Sequence, residues 1–222
     1  MSPLDEYDAV VFDCDGVLLD TNGMKIDAFK AVVLAAGFDE QTAERFSAFQ
    51  SVNFGLSRHV LFDRLLGGEF GSAPGHVTKA QLLGAYGDAC RRGYLTADQT
   101  EGMADLLSSI GRPLFVVSGS DEAELIEVFE RRSLRRHFVC VFGSPTAKFE
   151  NLQRVRSQLE AAGIRRPRLL FVGDAEADAN AAARSGADFV FMARHSTVKD
   201  SMTARANAGE FPMVECLTGL TC

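Results

Sequence analysis

The stretch AVVFDCDG, residues 9–16, joins a short apolar run to an abrupt polar turn. Four apolar residues that end at polar residues and a glycine are typical of a buried parallel strand followed by a loop. The pattern recurs at residues 114–117, 139–142 and 169–172, and residues 189–192 look like a fifth strand. Because ligands of parallel α/β sheets bind outside the carboxyl ends of the strands, the polar residues after each run are the first candidates for a functional site.

Helical segments alternate with these runs. Residues 121–132, 150–162 and 178–185 show the charge placement or the terminal glycine of helices. Strands that alternate with helices predict an α/β fold built on a Rossmann-like, doubly wound parallel sheet. Residues 194–222 are predicted to form a surface loop and a last helix packed on this core.

A long insertion separates the first two strands. Residues 20–99 contain no convincing strand and show apolar residues at helical spacing instead. A crossover between parallel strands needs only about a dozen residues, so the insertion is long enough for a small domain. We expect residues 1–19 and 97–222 to form the α/β catalytic core. We expect residues 20–96 to form a helical cap domain over the carboxyl ends of the strands.

The composition is that of an ordinary globular protein, with 46% hydrophobic and 24% charged residues in a chain of 222. The net charge of −7 speaks against a general nucleic-acid or anionic-membrane binder. No apolar run approaches the roughly 18 residues of a transmembrane helix. Residues 1–8 do not resemble a signal peptide. The five cysteines show no Cys-x-x-Cys spacing of a metal or redox site. We therefore expect a cytoplasmic protein with reduced thiols and no nucleic-acid, membrane or obligate protein partner.

Four aspartates follow two of the predicted strands. Asp13 and Asp15 flank Cys14, so alternation along the chain turns both carboxylates to one side and Cys14 to the other. Asp174 and Asp178 follow the fourth strand at a spacing that suits one face of a helix start. A single aspartate after a strand is usually a cap or turn residue. Four at matching strand ends favour a shared hard cation, most simply Mg²⁺.

Two further strand ends carry groups suited to phosphate. Ser118 and Gly119 follow the second strand, where a hydroxyl and free backbone N–H groups bind phosphate well. Lys148 follows the third strand, where its ammonium would neutralise phosphate oxygens and the crowded carboxylates. Each signal is weak alone, since Ser-Gly is common in turns and most lysines are simply solvated.

Together these residues resemble the haloacid dehalogenase superfamily over nearly the whole chain. Residues 12–21 match the first family motif, D-x-D-G-x followed by apolar residues and an acid. Ser118 matches the second motif, Lys148 the third, and Asp174 with Asp178 the fourth, G-D-x-x-x-D. The order and separations of the motifs agree with the family, and the insertion is similar to its helical C1-type cap.

The resemblance implies a role for each motif residue. Asp13 would be the nucleophile that forms an aspartyl-phosphate, and Asp15 would protonate the leaving oxygen and then activate water. Ser118 and Lys148 would hold the transferring phosphoryl group. The implied ligands of Mg²⁺ are the Asp13 carboxylate, the Asp15 main-chain carbonyl and Asp174, with Asp178 as a further ligand or a support. The implied substrate-binding residues are Gly16, Gly119 and Arg58.

Arg58 enters through a second likeness. The segment Gly55-Leu56-Ser57-Arg58 is similar to a G-x-S-R segment of β-phosphoglucomutases, in which the arginine holds the phosphate that is not transferred. The alternative interpretation is that Ser57 caps a helix and that Arg58 is solvated.

Within the family, the sequence favours a Mg²⁺-dependent phosphatase that acts on a small phosphorylated metabolite, a sugar or polyol phosphate. A hexose phosphomutase like β-phosphoglucomutase is the alternative, and a non-catalytic, ligand-binding or regulatory member is a third hypothesis that the intact motif set disfavours. Asp15 argues against a dehalogenase, because halide displacement needs neither a leaving-group proton nor a metal. A phosphonatase needs a lysine in the cap. The insertion contains Lys25, Lys30 and Lys79, so the phosphonatase branch of the family remains an alternative.

Overall fold

The computed structural model describes residues 3–53 and 56–220. Its centre is a parallel sheet in which the described strands lie in the order β3-β2-β1-β4-β5-β6. Apolar runs between polar turns form these strands, as the sequence predicts. The bounds are β1 Ala9–Phe12, β2 Leu114–Asp121, β3 Cys140–Ser144, β4 Leu169–Gly173, β5 Asp188–Met192 and β6 Met213–Val214.

Helices cover both faces of the sheet, which confirms the predicted Rossmann-like α/β fold. Their bounds are α1 Asn22–Ala35, α2 Glu40–Val52, α3 Arg58–Leu66, α4 Lys79–Thr96, α5 Met103–Ser109, α6 Glu122–Arg131, α7 Lys148–Ala161, α8 Glu176–Ser185 and α9 Lys199–Asn207. Alternate residues of β1 enter opposite apolar layers: Val10 and Phe12 lie in one cluster with α5 and α6, and Val11 lies in the other with α7 and α8.

The segment between β1 and β2 carries α1 to α5, and its residues 20–96 form α1 to α4, as the apolar periodicity predicts. Phe29, Phe62 and Tyr86 pack together inside it, with the rings of Phe29 and Tyr86 stacked at 3.8 Å between centroids. These rings belong to the same buried apolar cluster as Phe12 of the sheet. The helices are therefore packed against the sheet through continuous apolar contact.

The C-terminal part differs from the sequence prediction in one element. The predicted last helix is α9, but it is followed by strand β6, which adds to the sheet edge by pairing Phe191 with Met213 and Met192 with Val214. A two-residue strand directly after Pro212 has no periodicity to detect, because alternation needs at least four residues to become visible. None of the described helices is long and apolar enough to cross a membrane.

Candidate active site

Asp13 leaves the end of β1 at the middle of the sheet. Its backbone N–H donates to Val172 of β4 at 2.9 Å, which holds the residue in line with the strand. The buried carboxylate accepts the Cys14 N–H on Oδ1 at 2.7 Å and the Lys148 ammonium on Oδ2 at 2.8 Å. Cys14 itself lies in the apolar cluster, so the predicted alternation of side chains across this turn is correct.

Lys148 is the first residue of α7 and is buried between two carboxylates. Besides Asp13, its Nζ donates to Asp178 Oδ1 at 2.6 Å. Asp178 Oδ2 accepts the Ala175 N–H at 3.0 Å, so this side chain both caps α8 and orients the lysine. Burial alone would lower the pKa of Lys148, but Asp13 and Asp178 together hold it above its ordinary value. Lys148 is therefore a charged ammonium beside Asp13 at neutral pH.

Asp174, at the end of β4, completes a cluster of three buried carboxylates. Asp13, Asp174 and Asp178 each offer an oxygen, and these atoms all lie within 4.8 Å of one another. Burial and the neighbouring carboxylates raise the pKa of Asp13 to about 7 and also raise the pKa of Asp174. A bound cation would relieve the repulsion between these carboxylates, and Mg²⁺ prefers oxygen ligands of this kind. The residues present therefore fit the predicted metal.

Gly16 allows the turn after β1 to approach Asp174. Its φ of 72° lies in the left-handed region that favours glycine. A Cβ at this position would collide with Asp174 Oδ2 and with Asn22 Nδ2, which donates to the same oxygen at 2.6 Å. The structure thus places Gly16, predicted as a substrate-binding residue, directly against the carboxylate cluster.

Asp15 is buried within a network that the sequence did not reveal. Its Oδ1 accepts the hydroxyls of Thr21 and Tyr94, each at 2.6 Å. Its Oδ2 accepts the Lys25 ammonium at 2.7 Å and the Ser120 hydroxyl at 2.9 Å. Burial acts to raise the pKa of Asp15, but Lys25 and the two hydroxyls outweigh it and lower the pKa to about 2. In this arrangement Asp15 is an ionised acceptor.

A cavity lies beside these aspartates, and two residues at the second motif line it. Gly119 and Ser120 line it together with Asp13, Asp15 and Asp174. Ser118 is buried beside them; its Oγ accepts the Ser120 N–H at 3.1 Å and lies 3.5 Å from Asp15 Oδ2. Ser120 thus lines the cavity and Ser118 does not, although both side chains are buried. The sequence alone could not distinguish these two serines.

Arg58 begins α3 and also lines this cavity, but it is not free. Ser57 caps the helix by accepting the Val60 N–H, as one of the two sequence interpretations holds. The same interpretation is wrong about solvation, because the Arg58 side chain is only 5% exposed and pairs with Glu124 of α6. Gly55, from the segment that suggested Arg58, lies outside the described residues.

The sequence profile of the haloacid dehalogenase-like hydrolases matches residues 10–192. No curated protein sequence is significantly similar to the chain.

Several crystal structures share the fold. A point mutant of CbbY from Rhodobacter sphaeroides, in complex with xylulose-1,5-bisphosphate, has 16% identity and a TM-score of 0.72 over 97% of this chain and 100% of that one. A predicted phosphatase from Clostridium acetobutylicum has 19% identity and a TM-score of 0.70 over 96% of each chain. A haloacid dehalogenase-like family hydrolase from Streptococcus pneumoniae has 19% identity and a TM-score of 0.61 over 85% of each. At these identities the similarity concerns the fold, whereas the profile covers most of the sequence, and the chain belongs to the haloacid dehalogenase-like hydrolases.

Proposed function

We propose that this hydrolase is a Mg²⁺-dependent phosphatase that cleaves a small phosphorylated metabolite, a sugar or polyol phosphate, through an aspartyl-phosphate. One observation carries the proposal. The Asp13 carboxylate lines a cavity at the end of the central strand, 2.8 Å from a buried ammonium and within a cluster of carboxylates that fits a divalent cation. This arrangement supplies a nucleophile and positive charge for the phosphoryl group it would attack.

The proposed reaction has two steps. An Asp13 oxygen attacks phosphorus, the bond from phosphorus to the leaving oxygen breaks, and that oxygen takes a proton from Asp15. Water then attacks the phosphorus of the aspartyl-phosphate while Asp15 takes its proton back. Phosphate leaves and the Asp13 carboxylate is restored. Lys148 and the N–H groups near Gly119 neutralise the phosphoryl oxygens in both steps.

Asp15 must gain a proton before the first step, although Lys25 keeps it ionised in the structure. An arriving phosphoryl group attracts the Lys25 ammonium away from Asp15, because it is a dianion. Without that contact the largest remaining influence on Asp15 is its burial, which raises its pKa. Substrate binding itself would thereby prepare the acid, and the ionised form left after the first step is the form needed as a base.

Mg²⁺ would be held by the carboxylates of Asp13 and Asp174 and the main-chain carbonyl of Asp15. Asp178 would be a further ligand or a support, and it also holds Lys148 and the start of α8 through its two oxygens. When bound, the cation neutralises charge on the phosphoryl oxygens and on Asp13. Residues 20–96 are proposed as the cap that closes this site, since Lys25, Arg58 and Tyr94 reach the cavity or its aspartates from that segment.

The test is phosphate release from a panel of sugar and polyol phosphates in the presence of Mg²⁺. We expect hydrolysis without a bisphosphate activator, whereas a phosphomutase would isomerise its substrate and need that activator. Asp13→Asn should lower kcat by at least roughly 10³-fold, because an amide of the same shape is a poor nucleophile. Turnover by a folded Asp13→Asn variant at the wild-type rate would refute the assignment.

A further inference from the structure

The arginine that the inserted helices bring to the cavity is already neutralised. Arg58 Nη1 donates to Glu124 Oε1 at 2.8 Å. Nη2 lies 2.8 Å from Oε2 as an ion pair without a hydrogen bond. The two side chains are only 5% and 11% exposed, so salt and water screen the pair little. An anionic group that approached Arg58 would meet a neutral pair instead of a free cation.

The neighbouring helix leaves room for this pair at a cost to its own stability. Gly87 lies in the interior of α4, and a Cβ there would collide with Glu124 Oε1 and approach Arg58 Nη1 to 3.5 Å. Glycine inside a helix costs about 1 kcal/mol relative to alanine. The packing of α4 is therefore matched to the paired arrangement of Arg58 and Glu124.

The other cations of the cavity are also paired. Lys25 contacts Asp15, and Lys148 contacts Asp13 and Asp178. Among the described residues that line the cavity, every lysine and arginine thus has a carboxylate partner. Asp15 beside Lys25 and Asp13 beside Lys148 line the cavity, where the phosphoryl group and its metal would engage them. Glu124 does not line it, so it would keep its hold on Arg58 when an anion arrives.

The cavity also offers a hydrogen-bond acceptor without a donor. Gln50 of α2 is 3% exposed and lines the cavity, and its Oε1 has no hydrogen-bond partner in the described part of the chain. The neutral amide of Gln50 has an acceptor oxygen and N–H donors, so it matches a substrate hydroxyl, which both donates and accepts. A buried acceptor of this kind gains most from a hydroxyl of the substrate, because leaving it unpaired costs free energy.

We propose that Glu124 cancels Arg58 as an anion site, so that the enzyme prefers phosphate monoesters whose leaving group is uncharged and carries hydroxyls. Phosphocarboxylates and bisphosphates are then disfavoured. This inference rests on the proposed phosphatase function and narrows its substrate class. Glu124 acts here as a specificity-determining residue through the arginine that it holds.

The test compares racemic glycerol 3-phosphate with racemic 3-phosphoglycerate, which differ only in a hydroxymethyl group against a carboxylate. Wild-type kcat/KM should favour glycerol 3-phosphate by roughly tenfold or more. Glu124→Gln keeps the shape but leaves Arg58 positive, so the ratio should fall by roughly tenfold or more. The control is Glu127→Gln on the same helix, whose exposed partner is Arg131; it should leave the ratio within about twofold of wild type.

A double variant, Arg58→Gln with Glu124→Gln, removes both charges together and should keep the preference for glycerol 3-phosphate. It supplies the test if the single variant fails to fold. A wild-type preference for 3-phosphoglycerate, an unchanged ratio in folded Glu124→Gln, or a reversed preference in the double variant would each overturn the inference. p-Nitrophenyl phosphate separates a failure of the phosphatase function from a failure of the proposed substrate class. If none of the three esters is hydrolysed, the phosphatase function is refuted. If esters are hydrolysed but 3-phosphoglycerate is preferred, only the substrate class is refuted.

Discussion

Asp13 and Asp174 are buried carboxylates that face other carboxylates, and this crowding is the physical basis of the proposed cation site. Burial is the largest cause of the raised pKa of each, and the neighbouring aspartates add to it. When the pKa of a carboxyl group is higher in the folded than in the unfolded protein, the folded protein becomes less stable as the pH rises. The loss runs from the unfolded pKa, about 4, through the folded pKa. Without a cation the cluster therefore destabilises the folded state at neutral pH, and the proposed divalent cation would reverse the effect.

Asp174→Asn tests this directly. In excess chelator the variant should have a higher Tm than wild type, and the difference should grow from pH 4 to pH 8, because the amide cannot ionise. Mg²⁺ should raise the Tm of wild type and raise that of the variant much less. Thermal unfolding across this pH range, with and without Mg²⁺, measures both effects. Exposed Asp27 supplies the control, since Asp27→Asn should change neither the pH dependence nor the response to Mg²⁺.

At the scale of elements, the motif residues of the core were predictable and their partners from the inserted helices were not. Asp13 and Lys148 follow apolar runs, so the sequence shows that they meet at the carboxyl ends of the strands. Lys25 and Tyr94 reach Asp15 from α1 and α4. Nothing in the sequence reports how two amphipathic helices are rotated about their axes, and a rotation of one residue would remove either contact. Glu124 as the partner of Arg58 was hidden for the same reason.

The helix α4 carries Tyr94 to the site and begins with a capping box, in which Thr78 Oγ1 accepts the Gln81 N–H and the Gln81 side chain accepts the Thr78 N–H. Thr78→Ala should lower the free energy of unfolding by about 1 kcal/mol, because one orphan N–H of the first turn loses its acceptor. Urea unfolding measures the change. Thr96→Ala at the exposed C-terminal end of the same helix is the control, and it should cost no more than about 0.5 kcal/mol. Equal losses in both variants would contradict the capping account.

At the scale of the whole molecule, one buried apolar cluster runs from Phe12 of the sheet to Phe62 of the inserted helices. The order of strands and helices could be predicted because each apolar run ends at a turn residue. The continuity of this cluster could not be predicted from the sequence, because it depends on which faces of α1 to α4 meet the sheet. The shared core also explains how side chains from a separate segment of the chain come within 3 Å of Asp15.

The covalent intermediate is the central claim, and trapping it is the most direct test. Asp15→Asn should be mixed with p-nitrophenyl phosphate and Mg²⁺, quenched rapidly, and analysed by intact mass and peptide mapping. The nitrophenolate group leaves with little need for a proton, so Asp13 can still be phosphorylated, whereas the second step lacks its base. We predict one phosphoryl group on Asp13. A phosphoryl group on any other residue, or stoichiometric release of p-nitrophenolate while Asp13 stays unmodified, would contradict the account.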